Sequence, residues 1–134
     1  MDTRTPEQRR RIMQAVKTKD TGPEMTVRCM LHGHGYRYRL HRKDLPGRPD
    51  IVFASKRKAI FVHGCFWHGH KCSKGKLPKS KLNYWQPKIE QNKARDDRNI
   101  AELEAAGWQV LVIWQCEIVD GQALWLRLQE FVEN

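Results

Sequence analysis

The sequence lacks any long hydrophobic segment. Its longer uninterrupted apolar runs, such as Ala59–Val62 and Val110–Trp114, are far too short to span a bilayer. The charged residues at the start of the chain are followed by no apolar stretch, so no secretory signal is visible. We therefore expect neither a membrane protein nor a secreted one.

Acidic residues are scarce in the first three quarters of the chain. Residues 1–98 hold 24 lysines and arginines against 9 aspartates and glutamates, whereas residues 99–134 hold 1 against 6. A basic field of this size attracts polyanions and speeds encounter with them. Together with five tryptophans and an isoelectric point of about 9.8, it favours nucleic acid as the partner. We expect the acidic C-terminal segment to fold away from the binding surface.

Cysteine is sparse, and the four cysteines are Cys29, Cys65, Cys72 and Cys116. Without an export signal, disulfides are disfavoured, which leaves metal ligation or ordinary burial. Cys29 lies on a predicted helix, and we expect it to be a core residue.

The 134 residues, with 40% hydrophobic and 30% charged side chains, suffice for one domain with its own core. Residue patterns predict helices over 5–17, 24–34, 87–106 and 122–132, and strands over 36–40, 50–54, 59–63 and 108–114. This order predicts an α/β fold with a mixed sheet flanked by helices. The last two strands are expected to be parallel through a right-handed crossover, with residues 108–114 as a buried central strand.

Two segments depart from this pattern of amphipathic helices and apolar strands. The first predicted helix has a narrow apolar stripe, so we expect an arm that orders on a partner. Residues 64–86 show no periodicity and contain two of the six histidines, two of the four cysteines, five of the twelve lysines and two of the five tryptophans. A loop this long should be functional or pinned. Pro87 is then expected to open the third helix.

Asp50 stands at the start of a predicted strand. If the polar turn of residues 55–58 joins this strand to the next, Asp50 lies opposite His63, with the carbonyl of Val62 beside it. Oxygen ligands of this kind suit Mg²⁺, which keeps several of its waters. The alternative is an aspartate that caps the turn before the strand, and the sequence alone leaves both open.

Cysteines and histidines cluster after the third predicted strand. Cys65 follows that strand and Cys116 follows the fourth, so parallel strands would bring both to one edge of the sheet. Three thiolates and one imidazole make a closed zinc site of the structural kind. Cys65, Cys72 and Cys116 are the predicted thiolates. His70 is chosen as the fourth ligand, although His68 is close by; unmetallated cysteines are the alternative.

Asp96 falls on the apolar stripe of the third predicted helix, with Ile89, Ile100 and Leu103. An inward aspartate is costly unless it is hydrogen-bonded or paired. A histidine from residues 63–70 is a natural partner, and such a pair would orient the imidazole and raise its basicity. A solvated Asp96 on a wider polar face is equally compatible with the sequence.

Aromatic residues are interleaved with lysines in the same region. Phe66, Trp67, Tyr84 and Trp85 lie among Lys71, Lys74, Lys76, Lys79 and Lys81. Such side chains can contact phosphates and wedge between bases. Packing of any one ring against the domain's own core is the simpler alternative.

Several of these motifs, in this order, resemble the very short patch repair (Vsr) mismatch endonuclease family. They are Pro46-Gly-Arg-Pro-Asp50, Phe61-Val-His-Gly-Cys-Phe-Trp-His68, His70-Lys-Cys72, Tyr84-Trp85 and Asn92-Lys-Ala-Arg-Asp96. The resemblance covers nearly the whole chain. It implies a restriction-endonuclease-like fold, one domain over residues 1–134, and a structural zinc site. The implied reaction is a nick on the 5′ side of the thymine in a T·G mismatch left by deamination of 5-methylcytosine.

The resemblance also implies roles for individual residues. The implied catalytic set is Asp50, His63, His68, Asp96 and Glu24. Asp50 and the carbonyl of Val62 would bind Mg²⁺, and His68, supported by Asp96, would activate the attacking water, although the sequence leaves open whether His63 or His68 is the main base. Cys65, His70, Cys72 and Cys116 would hold zinc. Phe66, Trp67 and Trp85 would insert beside the mismatch, while residues 1–20, around Met13, would clamp the minor groove.

The sequence departs from the wider fold at one place. The usual acidic-x-Lys triplet is replaced by Val62-His63-Gly64, a substitution that the Vsr group shares, and Val62 stands where the family often has threonine. We expect a monomeric, cytoplasmic, nucleoid-associated protein of bacterial type, with repair factors and a companion cytosine methyltransferase as partners. The alternatives are a Vsr-like nuclease with another DNA target and a non-catalytic zinc-containing DNA-binding module.

Overall fold

A computed structural model describes residues 22–72 and 81–134. The helices are α1 (Gly22–Gly33), α2 (Leu82–Ala105) and α3 (Gly121–Glu133). The strands are β1 (Arg39–Leu40), β2 (Ile51–Phe53), β3 (Lys58–His63) and β4 (Gln109–Trp114). The helix predicted over residues 5–17, the arm of residues 1–20 with Met13, and Lys74, Lys76 and Lys79 all lie outside the described residues. For the rest, the predicted order of elements is confirmed.

The four strands form one mixed sheet in the order β1-β2-β3-β4. β2 pairs antiparallel with β1 and β3, and β4 runs parallel to β3, as predicted. The central position predicted for β4 is wrong, because β4 is an edge strand in the described part of the chain. Its apolar side chains meet helices above and below the sheet, and that pattern does not report which strands lie beside it.

The core consists of two layers, one on each face of the sheet. On one face, α1 and α3 cover Ile51, Phe53, Ile60 and Ile113. On the other face, Leu103 of α2 and Trp108 pack on Val52, Ala59 and Phe61. β2 and β3 are therefore buried from both sides, which explains their continuous apolar character.

The pairing of β2 with β3 differs from the prediction. Ile51 pairs with Ile60 and Phe53 with Lys58, so that Asp50 is level with Phe61 and not with His63. A short 3-10 turn (Ala54–Lys56) and Arg57, whose φ of 54° is left-handed, join the strands one residue earlier than expected. Asp50 still reaches Val62, whose backbone N–H donates to Oδ2 at 2.7 Å.

α2 begins five residues before Pro87, so the prediction that Pro87 opens this helix is wrong. The amides of Tyr84 and Trp85 bond to the carbonyl of Lys81 and start the helix there. Pro87 is the sixth residue of this helix, beyond the four N–H groups that lack a partner within a helix, and it removes the one hydrogen bond that its nitrogen would have given to the carbonyl of Asn83. Tyr84 and Trp85 therefore belong to the first turn of α2.

Other differences are local. β1 spans two residues rather than the predicted five. Cys29 is exposed, contrary to the expected core position, because α1 buries the face that carries Val27 and Leu31. No described helix is long and apolar enough to cross a membrane.

Lys58 links the sheet to the end of α3. It is only 4% exposed, and its Nζ donates to the carbonyls of Phe131 at 2.6 Å and Val132 at 3.0 Å. A cation at this position satisfies carbonyls that a helix end leaves unpaired.

Candidate active site and metal centres

The candidate catalytic and metal-binding residues lie at one edge of the sheet. β3 ends at His63, β2 starts beside it after Asp50, and the 3-10 segment Gln115–Val119 follows the parallel strand β4. Within residues 22–72 and 81–134 this arrangement gives three groups of potential ligand atoms, and the atoms of each group lie within 4.8 Å of one another. They are Glu24–His41–Asp50, His63–His68–Asp96 and Cys65–His70–Cys72–Cys116.

The first group, the acidic cluster, consists of Glu24, His41 and Asp50. Asp50 accepts the amide of Val62, and Glu24 Oε2 accepts from His41 Nε2 at 2.7 Å. Two carboxylates side by side fit a hard divalent cation such as Mg²⁺, which prefers oxygen ligands. Val62 meets Asp50 through its nitrogen, and a contribution of its carbonyl to metal binding stays a prediction.

The environment of Asp50 agrees with a cation site. Burial raises the pKa of Asp50 to about 7, the Val62 amide opposes this rise, and the neighbouring Glu24 carboxylate adds to it. Two buried carboxylates in contact repel each other when both are ionised. A bound divalent cation would remove this repulsion and favour the ionised form.

His63 does not join Asp50 in this cluster, contrary to the expected opposition. His41 occupies that place, and no motif in the sequence points to it. The signal was available: if β1 is taken to end at Leu40 and to pair with Ile51, the next residue, His41, comes opposite Asp50.

The predicted pairing of Asp96 with a nearby histidine is confirmed. Asp96, on α2, approaches His68 with Oδ2 at 2.5 Å from Nδ1. Both side chains are mostly buried, at 16% and 24% exposure. An Nδ1–H that donates to the carboxylate fixes the tautomer in which Nε2 accepts a proton. His68 is therefore equipped as a general base.

His63 has different surroundings from those of His68. Its ring stacks on His68, with centroids 3.8 Å apart and planes at 3°, and Trp114 packs edge-on at 5.2 Å. Burial, followed by the proximity of His68, lowers the pKa of His63 to about 4. Its Nδ1 is buried and has no hydrogen-bond partner within residues 22–72 and 81–134. His63 is thus a neutral imidazole at physiological pH.

A cavity of about 300 Å³ opens beside the two stacked histidines. Lys71, Lys93 and Asp96 contribute to its wall, and Trp114 closes one side. The cavity gives His68 access to small polar groups from outside, and it also reaches His63, which is 6% exposed.

The third group, the thiol cluster, brings together the four residues predicted to hold zinc. The Cys116 amide lies 3.4 Å from Cys65 Sγ, and Cys116 Sγ lies 3.5 Å from His70 Nδ1. Burial and contact with the thiols of Cys65 and Cys72 raise the pKa of Cys116 to about 11. Three crowded sulfurs and one imidazole, all free of disulfides, match the donor set of a structural zinc ion.

Gly69 allows one short loop to serve two groups at once. Its φ is +64°, and a Cβ there would lie 2.7 Å from Ile89 and 2.6 Å from Lys93. No other residue fits this combination of backbone angle and close approach to α2. The turn directs His68 towards Asp96 and lets His70 stack on Trp114 in the thiol cluster.

Three aromatic rings pack on one another next to the thiol cluster. Phe66, Trp67 and Trp85 make three mutual edge-to-face contacts with centroids 5.2 to 5.8 Å apart, and all three are half-buried. The carbonyl of Trp67 accepts from Asn92 of α2 at 2.9 Å. The rings therefore form a supported aromatic cluster outside the two core layers.

Comparisons with known proteins converge on one family. The model of the family described as DNA mismatch endonuclease Vsr matches residues 1–74. The chain is 60% identical to a type II nicking enzyme, V.XorIIP, of Xanthomonas oryzae pv. oryzae, over 98% of this chain and 97% of that protein. It is 40% identical to the DNA mismatch endonuclease Vsr of Escherichia coli, over 92% and 83% of the two chains.

A solved structure with a similar fold is the catalytic domain of homing endonuclease I-Bth0305I. Its TM-score is 0.58 at 24% identity, over 84% of this chain and 94% of that domain. At this identity the likeness concerns the fold alone, and it agrees with the predicted endonuclease-like mixed sheet flanked by helices.

Proposed function

Because the chain belongs to the Vsr family of DNA mismatch endonucleases, we propose that it nicks one DNA strand on the 5′ side of the thymine in a T·G mismatch. The reaction is Mg²⁺-dependent hydrolysis of a phosphodiester, and it starts very short patch repair of deaminated 5-methylcytosine. The observation that carries the proposal is the His68–Asp96 pair at the sheet edge that also holds the acidic cluster.

The cation would be held by the acidic cluster. Asp50 supplies a carboxylate oxygen, the Val62 carbonyl is the second proposed ligand, and Glu24 assists from beside Asp50. When bound, Mg²⁺ neutralises developing charge on the phosphate and lowers the pKa of a water.

The proton of the attacking water would go to His68. Asp96 holds the Nδ1–H, so Nε2 is the nitrogen that receives the proton, and the carboxylate stabilises the imidazolium that forms. His63 is too poor a base, with a pKa of about 4, to compete for this role. We assign it to contact with the scissile phosphate as a neutral hydrogen-bonding group.

Mismatch selection would depend on the aromatic cluster. Phe66, Trp67 and Trp85 insert beside the mismatch, and Met13 in the N-terminal arm acts from the minor groove. A T·G wobble pair stacks less well than a matched pair, so wedging there costs less free energy. Zinc in the thiol cluster would hold the loop that carries Phe66 and Trp67 in its folded form.

The cellular setting follows from this activity. The protein would act as a monomer on duplex DNA in the cytoplasm of a bacterium, at the nucleoid. A cytosine methyltransferase that creates the deamination-prone base, and repair factors that resynthesise the nicked strand, would be its partners. We propose no membrane association.

The decisive experiment is a nicking assay with end-labelled duplexes that carry T·G or a matched pair at one position. The wild-type protein with Mg²⁺ is expected to nick only the thymine strand, and Asp50→Ala to abolish nicking. Asp44→Ala is the matched control, since Asp44 is an exposed loop carboxylate paired with Arg42. Equal nicking by Asp50→Ala and wild type would contradict the assigned cation site.

A panel of flanking sequences separates the alternatives. The high identity to a type II nicking enzyme makes a different recognition sequence the second candidate. Nicking of T·G in one flank but not in others identifies that sequence. Tight binding to DNA without nicking in any flank or divalent metal would instead indicate the non-catalytic zinc-containing module.

A further inference from the structure

His41 lies directly across the sheet from Asp50. Leu40 pairs with Ile51 in the antiparallel β1–β2 ladder. The ladder continues with His41, which follows Leu40, and Asp50, which precedes Ile51, and the His41 amide donates to the Asp50 carbonyl at 3.2 Å. The backbone therefore fixes the separation of these two residues independently of their side chains.

The side chain of His41 is directed at Glu24. Its Nε2 donates to Glu24 Oε2 at 2.7 Å, whereas Arg28 reaches the same oxygen from one helical turn away at 3.3 Å. The Glu24 side chain is only 2% exposed, so water does little to hold its carboxylate in place. A buried carboxylate takes the orientation that its hydrogen-bond donors impose.

The backbone of His41 is held in an uncommon conformation. Its φ is 47°, in the left-handed region that residues with a Cβ disfavour. Such conformations persist where the surroundings compensate for them, and they are frequent at functional sites. Here the left-handed turn follows the last residue of β1, and the compensation includes the bond to Glu24.

We propose that His41 is a positioning residue of the candidate cation site, which holds the Glu24 carboxylate against Asp50 and thereby sets the affinity for a divalent cation. The inference rests on the proposed function, in which the acidic cluster binds the cation. Partners behind a metal ligand typically contribute about 10- to 100-fold to metal affinity. Both Arg28 and His41 donate to the same oxygen of Glu24. Without His41, the pull of Arg28 on that oxygen would no longer be opposed from the β1 side, and the carboxylate would be drawn along α1.

The test measures Mn²⁺ binding without DNA, by the electron paramagnetic resonance signal of the free ion. His41→Ala is expected to weaken Mn²⁺ binding by about 10- to 100-fold. His41→Gln is expected to stay within about threefold of wild type, because its amide N–H can replace Nε2–H towards Glu24. His32→Gln, an exposed histidine in the last turn of α1, is the matched control and should change nothing.

A second pair of variants tests whether His41 acts through Glu24. Once Glu24→Gln has removed the carboxylate, adding His41→Ala should cause no further loss of Mn²⁺ affinity. Circular dichroism confirms the fold of each variant, and His41→Leu replaces the alanine variant if that one does not fold. Unchanged affinity in His41→Ala, full additivity with Glu24→Gln, or wild-type binding that Asp50→Ala leaves intact would each overturn the inference.

The inference and the proposed function can fail separately. If the wild-type protein nicks T·G duplexes while His41→Ala binds Mn²⁺ normally, only the inference is wrong. If Mn²⁺ binding depends on His41 as described but no duplex is nicked, the proposed function is wrong and the positioning role stands.

Discussion

Replacing His63 by glutamine should change how the stability of the protein depends on pH. In the folded state His63 is 6% exposed and its pKa is about 4, whereas an unfolded histidine titrates near its ordinary value of 6.5. Between these values the unfolded chain binds a proton that the folded chain does not. The free energy of unfolding must therefore fall as pH falls from about 6.5 to about 4.

The size of this effect follows from the two pKa values. Proton linkage at this single site amounts to about 2 kcal/mol of lost stability between pH 7 and pH 5. The raised pKa of Asp50 acts in the opposite direction, because the folded state then binds the extra proton. Comparison of wild type with His63→Gln cancels the contribution of Asp50 and isolates that of His63.

The assay is urea unfolding at pH 7 and pH 5, followed by tryptophan fluorescence. His63→Gln should lose less stability than wild type over this interval, by about 2 kcal/mol. His32→Gln, which removes an exposed histidine, should behave as wild type. Equal pH dependence in wild type and His63→Gln would refute the reasoning, since it would mean that His63 protonates as easily in the folded protein as in the unfolded one.

Three further predictions concern the other groups. Asp96→Asn should lower the single-turnover nicking rate by about 10²- to 10⁴-fold while DNA binding is retained, because an amide, which can also donate, replaces the acceptor-only carboxylate that fixes the tautomer of His68. Glu102→Gln, an exposed change on the same helix, should leave the nicking rate unchanged. Cys116→Ser should reduce the zinc content from about one ion per chain and lower the melting temperature, as measured by atomic absorption and calorimetry; a zinc-free wild-type protein of full stability would contradict this. Lys58→Met should cost about 1–3 kcal/mol of unfolding free energy, because the Phe131 carbonyl loses its side-chain donor and the Val132 carbonyl keeps only that of Lys56. Urea unfolding measures the loss, and an unchanged stability would contradict the assigned cap.

The sequence was sufficient for the type and order of most elements because periodicity reports burial. Period-two and continuous apolar runs identified β2, β3 and β4, and the parallel pair followed from the helix between the last two. The edge position of β4 was not predictable in this way. Burial of both faces depends on the helices above and below, whereas the order of strands depends on hydrogen bonds that leave no trace in hydrophobicity.

The register of β2 and β3 shows a second limit. The predicted and observed pairings differ by two residues, and an even slip leaves every side chain on its original face. The hydrophobic pattern is therefore the same in both registers. The choice depended on the backbone of Arg57, whose left-handed φ closes the turn one residue early, and arginine carries no signal for that conformation.

For the candidate site, residue chemistry predicted partners better than it predicted geometry. The need of an inward Asp96 for a partner and the metal preference of cysteine led to the pair with His68 and to the thiol cluster. His41 was not predicted, because it belongs to no recognisable motif and its backbone is irregular. Only the pairing of β1 with β2 brings it next to Asp50.

The ten residues from His63 to Cys72 join the stacked histidines, the thiol cluster and the aromatic cluster into one mechanical unit. Within this segment, residues of the thiol cluster alternate with the stacked histidines and with two of the aromatic rings. After His63, the last residue of β3, the segment has no regular secondary structure, so its shape depends on the anchors at its ends and on Gly69 against α2. A metal in the thiol cluster would thus fix the loop whose middle carries His68 together with Phe66 and Trp67 of the aromatic cluster. Loss of that metal should impair the proposed nicking and the proposed mismatch selection together, although no thiol ligand is assigned to either step.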